Sequence, residues 1–471
     1  MAEDLYKYDE EYRDTISTVG SKGERIWVYP KKPAGYYHRL RKIVAVILLI
    51  VFFGLPLIKI DGHEFLLINI FERRFIIFGI SIWPQDFHIL ALALISFVVF
   101  IVLFTVVFGR IWCGWACPQT IFMEMVFRKI EYWIEGDANQ QRKLNAAPWT
   151  SAKILKKSAK QAIFILISLL ISHTTMAYLI GIDGVIDVVS QPPSEHLAGF
   201  IGLVAFTGIF YFVFSWFREQ ACIAVCPYGR LQGVFIGSQT IAVMYDWIRG
   251  EPRGKLKKNN ELQADKGDCI DCKMCVHVCP TGIDIRNGTQ LECVNCTACI
   301  DACDDIMDRI KKPRGLIKYA SHAGIEQKNN KLWSPRIAGY SVVLLLLITM
   351  IGFMLATRTD IETTVLRMPG MLFQEQANDR ISNLYKIQFV NKTFREIEVQ
   401  LSIEDINEAD IRVVGEGALL VPASESYSGV FFIELPRARL EKSKTPIKLL
   451  ITSEGEIIDV VKTNFLGPIN P

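Results

Sequence analysis

The sequence predicts a polytopic α-helical membrane protein of five transmembrane helices in two parallel helix-pair repeats, with an inserted cysteine-rich domain and a C-terminal all-β domain. Three observations predict it. Hydrophobic residues make up 51% of the chain and collect into uncharged blocks long enough to cross a bilayer. Eight of the twelve cysteines lie between Cys269 and Cys303 at a repeated spacing. From about residue 371 the pattern changes to short runs that alternate apolar and polar side chains. A chain of 471 residues exceeds one ordinary domain, and a formal charge of +3 is too small for a nucleic-acid partner.

Residues 1–42 form a polar arm ending in Arg39, Arg41 and Lys42, without the apolar core of a cleavable signal peptide. The membrane domain is expected over 43–250. Its uncharged runs are Ile43–Ile58, Phe87–Phe108, Gln161–Ile182 and Leu197–Phe217, and Ile337–Thr357 supplies the last span within 335–358. Each reaches or approaches the ~20 residues a hydrocarbon core requires. Gln119–Ile134 reads as an interfacial piece, and Asp86 as a cap for the second span.

Loop charge sets the expected orientation. The loop at 59–86 holds Lys59, Arg73 and Arg74 against four acidic residues, and 183–196 has no Lys or Arg. By contrast Arg128, Lys129, Arg142, Lys143, Lys153, Lys156, Lys157 and Lys160 crowd the segment before the third span. The basic side is the cytoplasmic one, which places the N-terminus and the cysteine-rich domain in the cytosol and the C-terminal domain outside.

Within the domain at 251–320, Cys269, Cys272, Cys275 and Cys279 are spaced C-x2-C-x2-C-x3-C. The spacing returns 24 residues later at Cys293, Cys296, Cys299 and Cys303, an internal repeat. Zinc knuckles would show two C-x2-C pairs without interleaved third and fourth cysteines. In the bacterial two-cluster ferredoxin run the fourth cysteine ligates the other cluster. By that rule Cys269, Cys272, Cys275 and Cys303 hold one [4Fe–4S] cluster, and Cys293, Cys296, Cys299 and Cys279 the other.

The remaining cysteines also repeat. Cys113-Gly-Trp-Ala-Cys117-Pro118 and Cys222-Ile-Ala-Val-Cys226-Pro227 share C-x3-C-P and follow the second and fourth spans. A proline after the second cysteine marks the end of one helix or the first turn of another. A thiol at a helix N-terminus gains thiolate character. Soft thiolates select Cu(I), zinc or iron–sulfur species, so two matched pairs point to a metal or redox role. A lone pair would read as small buried hydrophobes.

Over 371–471, Tyr385–Val390, Ile397–Ile403, Ile411–Val414, Val430–Leu435, Ile447–Thr452 and Ile457–Lys462 read as strands of a small immunoglobulin-like β-sandwich. The domain has no cysteine, which leaves docking or scaffolding as its expected role.

The segments WPQDFHILALAL, GRIWCGWACPQT, REQACIAVCPYGR, RGEPRG, GDCIDCKMCVHVCPTGIDIRNG and CIDACDDIMD resemble the cytochrome c oxidase accessory protein family called CcoG, FixG or RdxA, over essentially the whole chain. The resemblance implies a bacterial inner-membrane protein with cytoplasmic iron–sulfur clusters and a periplasmic immunoglobulin-like domain. It implies support for assembly of cbb3-type oxidase by reduction of Cu(II) to Cu(I), with copper at Cys113, Cys117, Cys222 and Cys226. The expected partners are copper ions, the oxidase or its assembly factors, a cytosolic or quinol electron donor, membrane lipid, and a second copy of the chain. Two other readings stay open: a quinol-linked electron conduit in which copper has no part, and a non-enzymatic scaffold or copper chaperone.

Overall fold

The computed structural model describes residues 18–255, 266–327 and 333–468, apart from positions 21, 61, 72–73, 371, 377–378, 405, 407, 416–418 and 441. Among them, five helices are long and apolar enough to cross a membrane: Tyr36–Leu57, Phe87–Phe108, Ser151–Ser190, Leu197–Phe217 and Pro335–Ala356. The second and fourth coincide with the uncharged runs. The first and third start earlier, because cationic side chains extend them before the apolar stretch begins. The third spans 40 residues, is capped by Thr150, and has a non-helical break at Gly181 (φ 78°). Its first turns carry Lys157 and Lys160, whose ammonium groups lie 2.9 and 3.0 Å from the Glu135 carboxylate. Those pairs let polar turns stay packed where a bare lysine run would fray.

The chain divides into two compact units, one of the chain up to Leu57 with Ala93–Ile348, the other of Ile58–Leu92 with Thr349–Pro471. In the first unit, the stretch read as interfacial is helical in three pieces, Pro118–Ile121, a π-helical turn Phe122–Phe127, and Arg128–Ile134. Phe127 stacks on Phe214 at 4.6 Å and meets Phe164 edge-on at 4.8 Å, tying this piece to the third and fourth spans. The cysteine-rich lobe is built on an antiparallel pair, Ala242–Tyr245 with Ile317–Ala320. Val243, Tyr245, Ile300, Met307, Leu316 and Ile317 fill its core.

In the second unit, residues 59–86 are more than a loop. They form a hairpin (Lys59–Ile60 with His63–Glu64) and a three-stranded sheet (Leu66–Asn69, Arg74–Ile77, Ile80–Ile82). Runs of two to four residues are too short for alternation to register in sequence. The β-sandwich has one sheet ordered Asp410–Val413, Ser426–Pro436, Arg380–Asn391, Ile361–Arg367, with Gln374–Gln376 also on Arg380–Asn391. The other is ordered Leu419–Val421, Ile397–Ile403, Lys444–Ser453, Glu456–Leu466. Tyr385, Phe389, Phe431 and Phe465 are fully buried between them. The first strand starts at Ile361, ahead of the expected boundary at 371, and is fixed by pairing along Arg380–Asn391.

Asp86 corrects a local expectation. Its carboxylate is buried against Lys392 Nζ and Arg358 Nη2, each at 2.7 Å, and accepts from the Trp83 N–H at 3.5 Å, so it closes the turn before the second span and anchors two distant cations. Burial pushes this carboxyl up, but the hydrogen bonds and charges of Lys392 and Arg358 outweigh it and hold the group below its ordinary value. Asp86→Asn leaves Arg358 without a carboxylate and Lys392 with Glu362 alone, at 2.9 Å, and is expected to destabilise this unit by about 3 kcal/mol, measured by denaturant unfolding of the full chain. A depressed carboxyl contributes stability that is present above its unfolded pKa of about 3.9. The wild-type margin over Asp86→Asn is therefore expected to shrink as pH falls below about 4.

Candidate metal centre

The eight ferredoxin-type cysteines divide between two cavities. Cys269, Cys272, Cys275 and Cys303 line one, with Tyr245 and Met307. Cys279, Cys293, Cys296 and Cys299 line the other, and Cys275 also borders it, so the cavities share a wall. This is the crossed partition in which each run sends its last cysteine to its neighbour's cavity.

Backbone conformation repeats with the cysteines. Asp271 and Lys273 have φ of 52° and 58°, and Asn295 and Thr297, each 24 positions later, have 53° and 64°. A non-glycine residue in the left-handed region is locally strained. Left-handed residues at alternate positions bend both loops in the same way between their cysteines. Arg286 reinforces the first loop with a fork, reaching Asp284 and Asp271 at 2.6 Å each.

The thiol environment fits the same group. Burial pushes Cys275 and Cys293 up to about 12 and Cys296 up to about 11, and it raises Cys299 and Cys303 as well. These sulfurs become thiolate ligands only with the compensating charge that iron supplies. Among the described residues no three His, Cys, Asp or Glu groups are close enough to hold a single metal ion. A cubane places one thiolate on each corner iron and spreads its ligands further apart. The cavities fit two [4Fe–4S] clusters, which Cys269, Cys272, Cys275 and Cys303, and Cys279, Cys293, Cys296 and Cys299, would hold.

The C-x3-C-P motifs come together. Cys117 and Cys226 are extended residues that each start a helix with proline in its first position, Pro118–Ile121 and Pro227–Phe235. Cys113 lies one turn before Cys117, and its thiol is 3.2 Å from Gln232 Oε1, on the helix that Cys226 starts. Burial pushes Cys113 up to about 12, and Cys117 and Cys226 add to the rise. Cys222 is pushed to about 12 by burial and then by Cys117, Cys113 and Cys226, against a hydrogen bond with Thr120. Cys222 feels the other three thiols and Cys113 feels Cys117 and Cys226, so the two repeats bring their cysteines to one neighbourhood.

This constellation leans on the second cluster loop. A Cβ on Gly114 would lie 2.4 Å from the Val294 carbonyl oxygen and 2.8 Å from that of Asn295, between Cys293 and Cys296. Only glycine permits that approach. Arg110 donates from one guanidinium nitrogen to Leu291 O and from the other to Gly229 O, joining both repeats to the loop. Trp115 Nε1 donates to Tyr319 Oη at 2.9 Å, and Tyr319 Oη donates to Asn295 O at 3.3 Å. Arg41 donates to Cys296 O at 3.2 Å from the first membrane helix.

Sequence reasoning assigned no role to Arg110, Gly114, Thr120, Gln232 or Tyr319. Arg110 and Gly114 sit within the motif that drew attention to the cysteines. Gln232 and Tyr319 carry no local signal, because their partners lie 119 and 24 residues away.

Comparison with known proteins identifies both cysteine-bearing regions as iron–sulfur domains. A 4Fe-4S dicluster domain family matches residues 217–322, a 4Fe-4S binding domain family matches 90–136, and the IG-like fold at the C-terminal of FixG matches 351–468. Protein RdxB of Cereibacter sphaeroides is 36% identical over 428 residues, 86% of this chain and 88% of that protein. Protein RdxA of the same organism is 34% identical over 424 residues, 86% of this chain and 87% of that protein. The nitrogen fixation protein FixG of Rhizobium meliloti is 30% identical over an alignment of 510 positions, 97% of this chain and 96% of that protein.

A membrane domain of apolar helices, a two-cavity cysteine lobe and an immunoglobulin-like β-domain define a membrane iron–sulfur protein of the electron-transfer class. The chain belongs to the FixG/RdxA family. Gly114→Ala is expected to push the membrane cysteines off the cluster loop, with a loss of about 1–3 kcal/mol from overpacking. The check is a changed EPR signal from the adjacent cluster together with a lowered melting temperature.

Proposed function

We propose that the protein passes single electrons from its iron–sulfur clusters to copper held by Cys113, Cys117, Cys222 and Cys226, supplying Cu(I) for assembly of a cbb3-type oxidase. The observation that carries this reading is the contact of Gly114, inside the first C-x3-C-P motif, with the loop between Cys293 and Cys296. It sets a thiol constellation suited to a soft ion against a loop suited to an iron–sulfur cluster. The balance is one electron per ion: each Cu(II) held by the thiols would leave as Cu(I), the electron coming from the groups that the eight ferredoxin-type cysteines would hold. The clusters supply low-potential electrons when bound. The chain's own groups do the rest: Gln232 and Thr120 hold two of the thiols by hydrogen bonds, and Arg110 places positive charge beside Cys113 and Cys293.

Copper fits through pairs of thiolates. Cu(I) accepts two sulfur ligands, so the constellation need not converge three groups on one ion. The clusters and the basic segment preceding the third span face the cytoplasm in this reading, and the β-domain faces the periplasm, where docking to the oxidase would occur.

Anaerobic titration of the dithionite-reduced protein with Cu(II), followed by EPR, tests it. Cluster oxidation in step with added copper is expected, one electron per ion. Replacing Cys222 and Cys226 together by alanine is expected to slow this by about 10–100-fold, the range seen when metal-site supports are removed. An unchanged cluster signal on copper addition would overturn the proposal, as would a wild-type rate in the double variant.

A further inference from the structure

A cavity of about 860 Å³ opens beside the start of the first membrane helix. Lys32, His38, Arg39, Lys42, Lys129 and Trp133 are among its lining residues. The one carboxylate on its wall, Glu124, is already engaged by Arg128 at 3.1 Å. His38 Nδ1 is buried without a hydrogen-bond partner, and no ion pair is formed by Arg39, Lys42 or Lys129 among the described residues. Burial, then the charges of Lys42 and Arg41, hold the Lys129 ammonium below its ordinary value. Such crowding of like charge in a concave site is relieved by an anion.

Position along the span identifies the anion. Arg39 and Lys42 occupy the first two turns of a membrane helix, the level of the lipid headgroups. Trp133, 78% exposed, stands at the same cavity in the way tryptophan does at a membrane–water boundary. From Arg39 the same helical face continues through Ile43, Val46 and Ile50, which are 57%, 54% and 67% exposed. An apolar stripe thus descends into the hydrocarbon directly from a cationic cavity.

We propose that this cavity binds the phosphate headgroup of an anionic phospholipid, with an acyl chain along Ile43, Val46 and Ile50. The back of the site is tied to the cysteine-rich lobe. The backbone N–H groups of Tyr37 and His38 donate to the Asp301 carboxylate at 3.0 and 2.8 Å, on the helix that carries Cys299 and Cys303. The lipid would therefore brace the first membrane helix where it supports the lobe. This binding does not depend on the copper reading.

The test is native mass spectrometry of the detergent-solubilised full-length protein titrated with cardiolipin, phosphatidylglycerol, phosphatidylcholine or inorganic phosphate. Retention of cardiolipin or phosphatidylglycerol over phosphatidylcholine is expected. Arg39→Gln with Lys42→Gln and Lys129→Gln should weaken anionic-lipid binding about 100-fold, since each cation near a lipid surface is worth about 1 kcal/mol. Lys156→Gln, an exposed cation outside the cavity, should leave it within twofold. For the wild type alone, the preference for anionic over zwitterionic lipid should collapse at about 1 M salt. Three outcomes would overturn the proposal: equal retention of phosphatidylcholine, an equal loss in Lys156→Gln, or displacement of lipid by millimolar inorganic phosphate, which would mark a free-anion site.

Discussion

The buried guanidinium of Arg110 is the constraint on which the site depends. It is 6% exposed, and its two terminal nitrogens donate to backbone carbonyls on either side, Leu291 before the second cysteine run and Gly229 after the second C-x3-C-P motif. A buried charge persists only where fixed dipoles replace its water, and a planar fork meets two carbonyls better than an ammonium could. One side chain thereby registers three segments that are distant in sequence. Its positive charge also opposes the burial that raises Cys113 and Cys293. Position and electrostatics at the membrane cysteines have a common origin.

A second charged assembly secures the neighbouring helix ends. Arg218 pairs with Glu131 at 2.8 Å, Arg128 with Glu219 at 3.3 Å, and Lys160 with Glu131 and Glu135 at 3.7 and 3.0 Å. All six side chains are largely buried, so each carboxylate answers a cation that would otherwise be desolvated alone. The assembly follows the π-helical turn Phe122–Phe127, which adds a residue to the helical circuit and brings Arg128 to face Glu219. The basic segment that reads in sequence as a membrane-topology signal is therefore also a structural element, with Lys157 and Lys160 turned inward.

Features that repeat or persist over a helix length were legible. Uncharged runs gave the second and fourth spans to the residue, and the cysteine spacing gave both the cavities and their crossed membership. Proline after Cys117 and Cys226 correctly marked two new helices. What escaped depends on distant partners. The strand at Ile361–Arg367 shows weak alternation and takes its state from the register with Arg380–Asn391. The sheets at 59–86 use strands too short to carry a period. Asp86 looked like a cap because its true partners, Arg358 and Lys392, lie more than 250 residues away.

The paired left-handed residues have a consequence for the stiffness of the site. Asp271, Lys273, Asn295 and Thr297 each hold a backbone state that costs about 1–3 kcal/mol when nothing enforces it. A ligand that binds the closed loop alone shifts that balance by mass action. Cluster binding would thus be linked thermodynamically to the shape of the carbonyl ledge against which Gly114 rests. A cluster held by these loops would therefore stiffen the ledge on which the first C-x3-C-P motif rests.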